Sequence, residues 1–249
     1  MMKTPSSIGI IGGGLCGLSC ALNLKQLLTD TRLIIYDFAT NTPTSRSMNE
    51  NTASVAAAGL MHPFSPSGSL MWHGLECYEE SLSLVHLVER TTGKKLYNRD
   101  TKIIRPALEE KDVLKLQKTA TQYPDLCSYY NKDDGLLKFG PTVFRPSWKG
   151  IAQYESSIVL DTVSYLSSLW STIMTLCTRV EWKSQMIETH DIEKLKLEHD
   201  VLIFAGMYSV KRPQSPFFLS LLCFRLFLFP VFTWVFVVFN SCQLITGNI

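Results

Sequence analysis

Gly12, Gly14 and Gly17 stand in the order Gly-x-Gly-x-x-Gly within "SIGIIGGGLCGLSCAL", and an acid, Asp37, follows 25 positions after the first of them. Glycines at this spacing let a chain turn tightly out of a strand (Gly12), bring its backbone against a pyrophosphate (Gly14) and seat the next helix on the strand (Gly17). The amides at a helix start carry partial positive charge and favour phosphate. Gly13, Leu15 and Cys16 complete the turn and belong to the same candidate site. A carboxylate at Asp37 accepts hydrogen bonds from ribose hydroxyls and repels a 2′-phosphate. The chemistry these residues suit is binding of a dinucleotide.

Such a turn works only between a strand and a helix. Ile8, Ile10 and Ile11 form a short apolar run, as in a buried parallel strand. Leu15, Leu18, Leu22 and Leu27 recur at helical spacing and predict a helix from about Leu15 to Leu28. "RLIIYD" reads as a second strand that ends in Asp37. The turn alone does not separate flavin from nicotinamide dinucleotides. A later segment, "SRSMNENTASVAAAGLMHPFSP", carries the small residues Ala53, Ser54, Ala56, Ala57, Ala58 and Gly59. Small side chains over that length suit a backbone lying close to a flat ligand. A tightly packed helix or strand crossing would account for them equally well.

"IGIIGGGLCGLSCAL", "IIYD" and "ASVAAAGLMHPF", in that order, resemble the D-amino-acid oxidase and glycine oxidase family of FAD-dependent oxidoreductases. They also resemble the oxidase half of the bacterial bifunctional tRNA wobble-uridine modifying enzyme. The resemblance implies FAD as cofactor, with Ser54, Ala57, Ala58 and Gly59 beside the flavin ring. Downstream, "RVEWKSQMIETH" is similar to the strand whose backbone meets the adenine, around Met186. "HDVLIFAGMYS" is similar to the strand ending in a turn by the cofactor, here Ala205-Gly206. The fold implied is α/β, a Rossmann-like FAD-binding domain (residues 1–90 and 154–212) interleaved with an incomplete α+β substrate domain of antiparallel sheet (91–153). "TKIIRPAL" and "LLKFGPTVFRP" have strand-like composition, and "EEKDVLKLQKTA" has helical spacing.

Family chemistry is oxidation of a C–N bond in a small-molecule amine or amino acid, with hydride passing to the flavin. A modified nucleoside amine is a further substrate class on the second resemblance. No catalytic acid or base is assigned. His62 follows the ring-facing segment, but a lone histidine there reads as a structural, hydrogen-bonded residue, and His73 has less in its favour. Arg105 and Arg145 are the arginines on substrate-domain stretches; both precede prolines, read as exposed, and receive no carboxylate-binding role.

A formal net charge of +2 argues against a nucleic-acid partner. Seven cysteines without a CxxC pair argue against a disulfide framework or zinc knuckle and for a reducing compartment. The first strand begins so close to the N-terminus that a targeting peptide has no room, and a cytoplasmic location is expected.

Residues 213–249 differ from all that precedes them. They hold eight of the thirteen phenylalanines and one charged side chain, Arg225. After Val210 the family pattern ends, whereas complete members continue much further. One reading makes 217–239 a membrane-spanning helix that faces the N-terminal domain to the cytosol. A second, favoured on composition, makes the tail translated non-coding sequence and the chain a truncated, weakly active or inactive isoform. A third, a buried hydrophobic segment that replaces missing strands, is disfavoured because so many large aromatics without polar alternation suit neither a half-buried strand nor an amphipathic helix. The functional alternatives are an FAD-dependent oxidoreductase and a non-catalytic nucleotide-binding module.

Overall fold

The computed structural model describes residues 4–39, 42–43, 53–65, 67–98, 101–205, 222–224 and 235–239. The chain opens with strand β1 (Ser7–Ile11), helix α1 (Leu15–Leu27) and strand β2 (Arg32–Asp37). β1 and β2 run parallel in the register Ile10↔Ile35. Strands β8 (Val180–Ser184) and β9 (Val201–Phe204) join them, also parallel, β8 on β2 and β9 on β1. The order β9-β1-β2-β8 puts the first strand inside the sheet, with all four C-terminal ends at one edge.

β1, β2 and β9 read as nearly continuous apolar runs because both faces are covered. On one face Ile8, Ile10, Leu33, Ile35 and Ile203 pack against Leu18 and Leu22 of α1. Helices α3 (Gly74–Thr92) and α6 (Thr162–Leu176) extend that core with Val85, Val88, Leu169 and Ile173. On the other face Ile11, Ile34, Tyr36 and Leu202 meet Ile192 and Leu195 of helix α7 (Asp191–Glu198). Each such aliphatic side chain, fully buried, contributes about 1.5–3 kcal/mol. Asp161 starts α6 by accepting from the amides of Val163 and Ser164.

Between β2 and α6 the chain leaves the parallel sheet. A short helix α2 (Ala53–Ala56) leads to β3 (Leu60–Met61), which pairs antiparallel with β7 (Ile158–Val159). A separate antiparallel sheet has the order β4 (Ile103–Ala107), β6 (Gly150–Tyr154), β5 (Cys127–Asn131). Helix α4 (Glu110–Gln122) packs on it through Leu116, beside Ala107, Cys127, Ala152 and Tyr154.

Two expectations need correction. "LLKFGPTVFRP" is not a strand: helix α5 (Lys132–Phe139) covers its first residues. Asn131 caps that helix, accepting from the amides of Asp133 and Asp134, and Gly140 closes it at φ 73°. The cap decides the local structure over the composition of the residues that follow.

The second concerns the tail. Within 217–239, Leu222–Phe224 and Val235–Phe239 are strands β10 and β11, paired antiparallel with each other, and β11 pairs antiparallel with β9. These stretches are not part of a spanning helix. Val and Phe favour strands, and a strand laid on β9 satisfies the backbone groups of an otherwise open edge. The rest of 213–249 lies outside the described residues. Among the described residues no helix is long and apolar enough to cross a membrane.

Candidate dinucleotide site

The site lies at the C-terminal ends of the parallel strands, where open α/β sheets bind ligands. Gly12 leaves β1 at φ 110°, in a region that side chains avoid, and its amide donates to Tyr36 O at 2.8 Å. A Cβ on Gly17 would fall inside the van der Waals envelope of Gly12 O, so α1 sits on the turn only because residue 17 has none. Leu18 is the first residue of α1 to donate back along the helix, to Gly14 O. The amides of Leu15, Cys16 and Gly17 therefore point out of the helix start.

Asp37 ends β2 and is 7% exposed. Its Oδ2 accepts from the Gly13 amide at 2.6 Å and its Oδ1 from the Ala39 amide at 2.9 Å. The carboxylate is thereby locked to the glycine turn. Ser54, from α2, reaches the same turn: its Oγ accepts from the Leu15 amide at 3.1 Å, and a Cβ on Gly14 would lie 2.7 Å from it. The glycine turn, Asp37 and Ser54 are thus brought together.

The other candidate residues line the flanks. Ala57 and Ala58 are exposed. Gly59, at φ 68°, accepts from the Leu160 amide at 2.9 Å, and a Cβ there would run into Leu160 O. Its glycine is therefore required by close packing of two backbones. Gln185 donates to Asp37 O at 2.7 Å, which sets the exposed Met186 beside the end of β2. Ala205 donates to Ile11 O at 2.8 Å, beside the end of β1. Gly206 lies outside the described residues.

Burial pushes the Cys16 thiol up to about 11 and the Cys20 thiol up to about 12. Neither is a thiolate at neutral pH, so neither is a nucleophile there. His62 stacks on Tyr154 with ring centroids 5.1 Å apart, and its Nδ1 accepts from the Phe64 amide at 3.3 Å. Burial, then the charge of Arg105, hold its pKa below the usual histidine value. It is a neutral packing residue, as its sequence position suggested. His73 opens α3 in a left-handed conformation and pairs with Glu76. Arg145 is exposed as expected, whereas Arg105 is half-buried on β4. Among the described residues no group of His, Cys, Asp and Glu is arranged to hold a metal ion.

Two features escaped the sequence reading. Trp182, on β8, lies against the glycine turn: its indole would block a Cβ at Gly13, and it meets Trp170 edge-on at 5.4 Å. His199, 3% exposed, bridges two hydroxyls, with Nδ1 2.7 Å from Ser7 Oγ and Nε2 2.8 Å from Tyr36 Oη. A signal for the second was present in Gly9. A glycine inside a strand often marks a close approach, and a Cβ there would come within 2.9 Å of the His199 ring.

No family model matches the chain, and no curated protein matches it. Solved structures do. Glycine oxidase from Geobacillus kaustophilus superposes with a TM-score of 0.56 at 16% identity, over 72% of this chain and 46% of that one. Glycine oxidase from Bacillus cereus ATCC 14579 gives 0.51 at 18% identity, over 71% and 45%.

The chain shares the fold of part of glycine oxidase.

The fold resemblance extends to L-amino acid deaminase from Proteus vulgaris, with a TM-score of 0.50 at 12% identity, over 73% of this chain and 40% of that one. The resemblance to D-amino-acid and glycine oxidases drawn from three short motifs thus holds at the level of fold. The chain spans less than half the length of these solved structures.

Proposed function

We propose that this chain carries the FAD-binding part of an oxidoreductase that oxidises a C–N bond of a small amine or amino acid. The observation that carries the reading is the joint held by the Gly13 amide on Asp37 Oδ2, inside the glycine oxidase fold. Residues 1–90 and 154–212 would hold the cofactor, and 91–153 would form the substrate unit.

The residues fit the ADP part of FAD. The amides of Cys16 and Gly17, at the positive end of α1, suit the pyrophosphate. Gly14 lets it approach the backbone. An ionised carboxylate offers about four acceptor sites, so Asp37 can hold the turn and accept from ribose hydroxyls together. Its charge disfavours a 2′-phosphate. Met186 and Ala205 flank the same edge of the sheet, and Ala57, Ala58 and Gly59 leave a small-sided approach from α2. Bound flavin would supply the hydride acceptor. The chain's own part is to bind and orient, and no acid or base in it is nominated.

The glycine oxidases and L-amino acid deaminase that share the fold are named for amino-acid substrates, which favours that class over a modified nucleoside. The test is anaerobic mixing of the flavin-loaded full chain with a panel of amines and amino acids. Bleaching of the flavin band supports the enzyme reading. Bound flavin that no amine reduces favours the non-catalytic binding module.

A further inference from the structure

We propose that Trp182 is a positioning residue of the dinucleotide site, whose indole sets the seat of Gly13 and with it the Gly13–Asp37 hydrogen bond. The inference rests on the reading above that this turn binds a dinucleotide. The motif explains glycine at 12, 14 and 17 but leaves position 13 open. The backbone does not require glycine there either: the positive-φ glycines of the described residues are Gly12, Gly59, Gly68, Gly93 and Gly140. What excludes a side chain is the Trp182 ring. A Cβ at Gly13 would collide with Cη2, would lie 2.5 Å from Cζ3, and would lie 2.9 Å from Asp37 Oδ2.

The ring cannot easily move away. Trp182 sits in register with Ile35 on β2, and its ring packs edge-on against Trp170 of α6 at 5.4 Å. Its outer carbons therefore form a wall that fixes how deep the Gly13 amide sits beneath Asp37. Phenylalanine at 182 would keep an aromatic against Trp170 while removing those outer carbons. A methyl at 13 would then meet only Asp37 Oδ2, at 2.9 Å, a contact that the carboxylate would have to relieve by shifting.

The experiment is a double-mutant cycle on the full chain: wild type, Gly13→Ala, Trp182→Phe and the pair. Two readouts are FAD affinity, from quenching of flavin fluorescence, and the thermal midpoint without added flavin. Gly13→Ala is expected to weaken FAD binding at least about tenfold, and Trp182→Phe, which loosens the seat of Gly13, by about three- to tenfold. The pair should recover most of the loss, since contacting residues are not additive. Gly13→Ala binding like wild type, or a pair no tighter than Gly13→Ala, overturns the inference. A wild type that takes up no flavin overturns the functional reading on which it rests. The midpoints then still decide the packing claim: recovery in the pair sustains it, and additive losses overturn it.

Discussion

The Gly13 amide donates to Asp37 Oδ2 over 2.6 Å, joining the turn after the first strand to the last residue of the second. One carboxylate thus organises the turn, and under the proposed function it would also accept from a ribose. Asp37→Ala removes the acceptor of two buried amides, Gly13 and Ala39, and each left unsatisfied costs about 1–3 kcal/mol. FAD affinity should fall at least about tenfold, with a lowered thermal midpoint. Asp37→Asn keeps one carbonyl oxygen and should fall between. Titration of FAD fluorescence on the three proteins ranks them.

Gly17 has no room for a methyl, because Gly12 O occupies the space where it would go. Gly17→Ala must push α1 off the turn, an overpacking that costs about 1–3 kcal/mol. Urea titration should show a lower midpoint with an unchanged slope, and flavin binding should be lost. A variant as stable as wild type would mean that α1 does not sit where the structure puts it.

Ser54 acts on the same helix from outside. Its hydroxyl accepts the Leu15 amide at 3.1 Å, the service that an N-cap side chain performs. Ser54→Ala should cost about 1 kcal/mol, a drop of about 2–4 °C in thermal midpoint. Ser54→Thr keeps the acceptor and should lose less. Calorimetry distinguishes the two.

His199 makes stability depend on pH. Its burial, foremost, and then Lys183 and Arg32 hold its pKa below 6.5, against the opposing charges of Glu198 and Asp200. The folded state therefore favours neutral imidazole. Its contribution is complete above pH 6.5, the unfolded value, and is lost as pH falls through the lower folded value. His62 is shifted in the same direction. Unfolding midpoints between pH 7 and pH 5 should fall, and His199→Gln should flatten part of that slope. An unchanged slope in the variant would assign the dependence elsewhere.

Much of this architecture was legible in residue order. Ile8, Ile10 and Ile11 announced a buried strand, the glycine spacing announced the turn, and Asp37 fell where its strand ends. These signals are local: a period of two or four, or a glycine whose conformation the backbone demands. What stayed hidden was set by contacts distant in sequence. Trp182 meets Gly13 only because β8 pairs with β2, and His199 meets Ser7 and Tyr36 only because β9 pairs with β1. Composition misled twice. Strand-like residues 136–139 are held in a helix by the Asn131 cap just ahead of them. The phenylalanine-rich tail allowed a membrane helix among its readings, yet Val235–Phe239 pairs with β9 and Leu222–Phe224 pairs with Val235–Phe239 as strands.

On the proposed function this chain holds FAD in the turn closed by Asp37. The most direct measurement is equilibrium dialysis of the purified full chain against FAD, read by flavin absorbance, with Asp37→Ala alongside and NADH as competitor. The account predicts about one flavin per chain, weakened by Asp37→Ala and untouched by NADH. A chain that retains no flavin, or that binds NADH in its place, would contradict it.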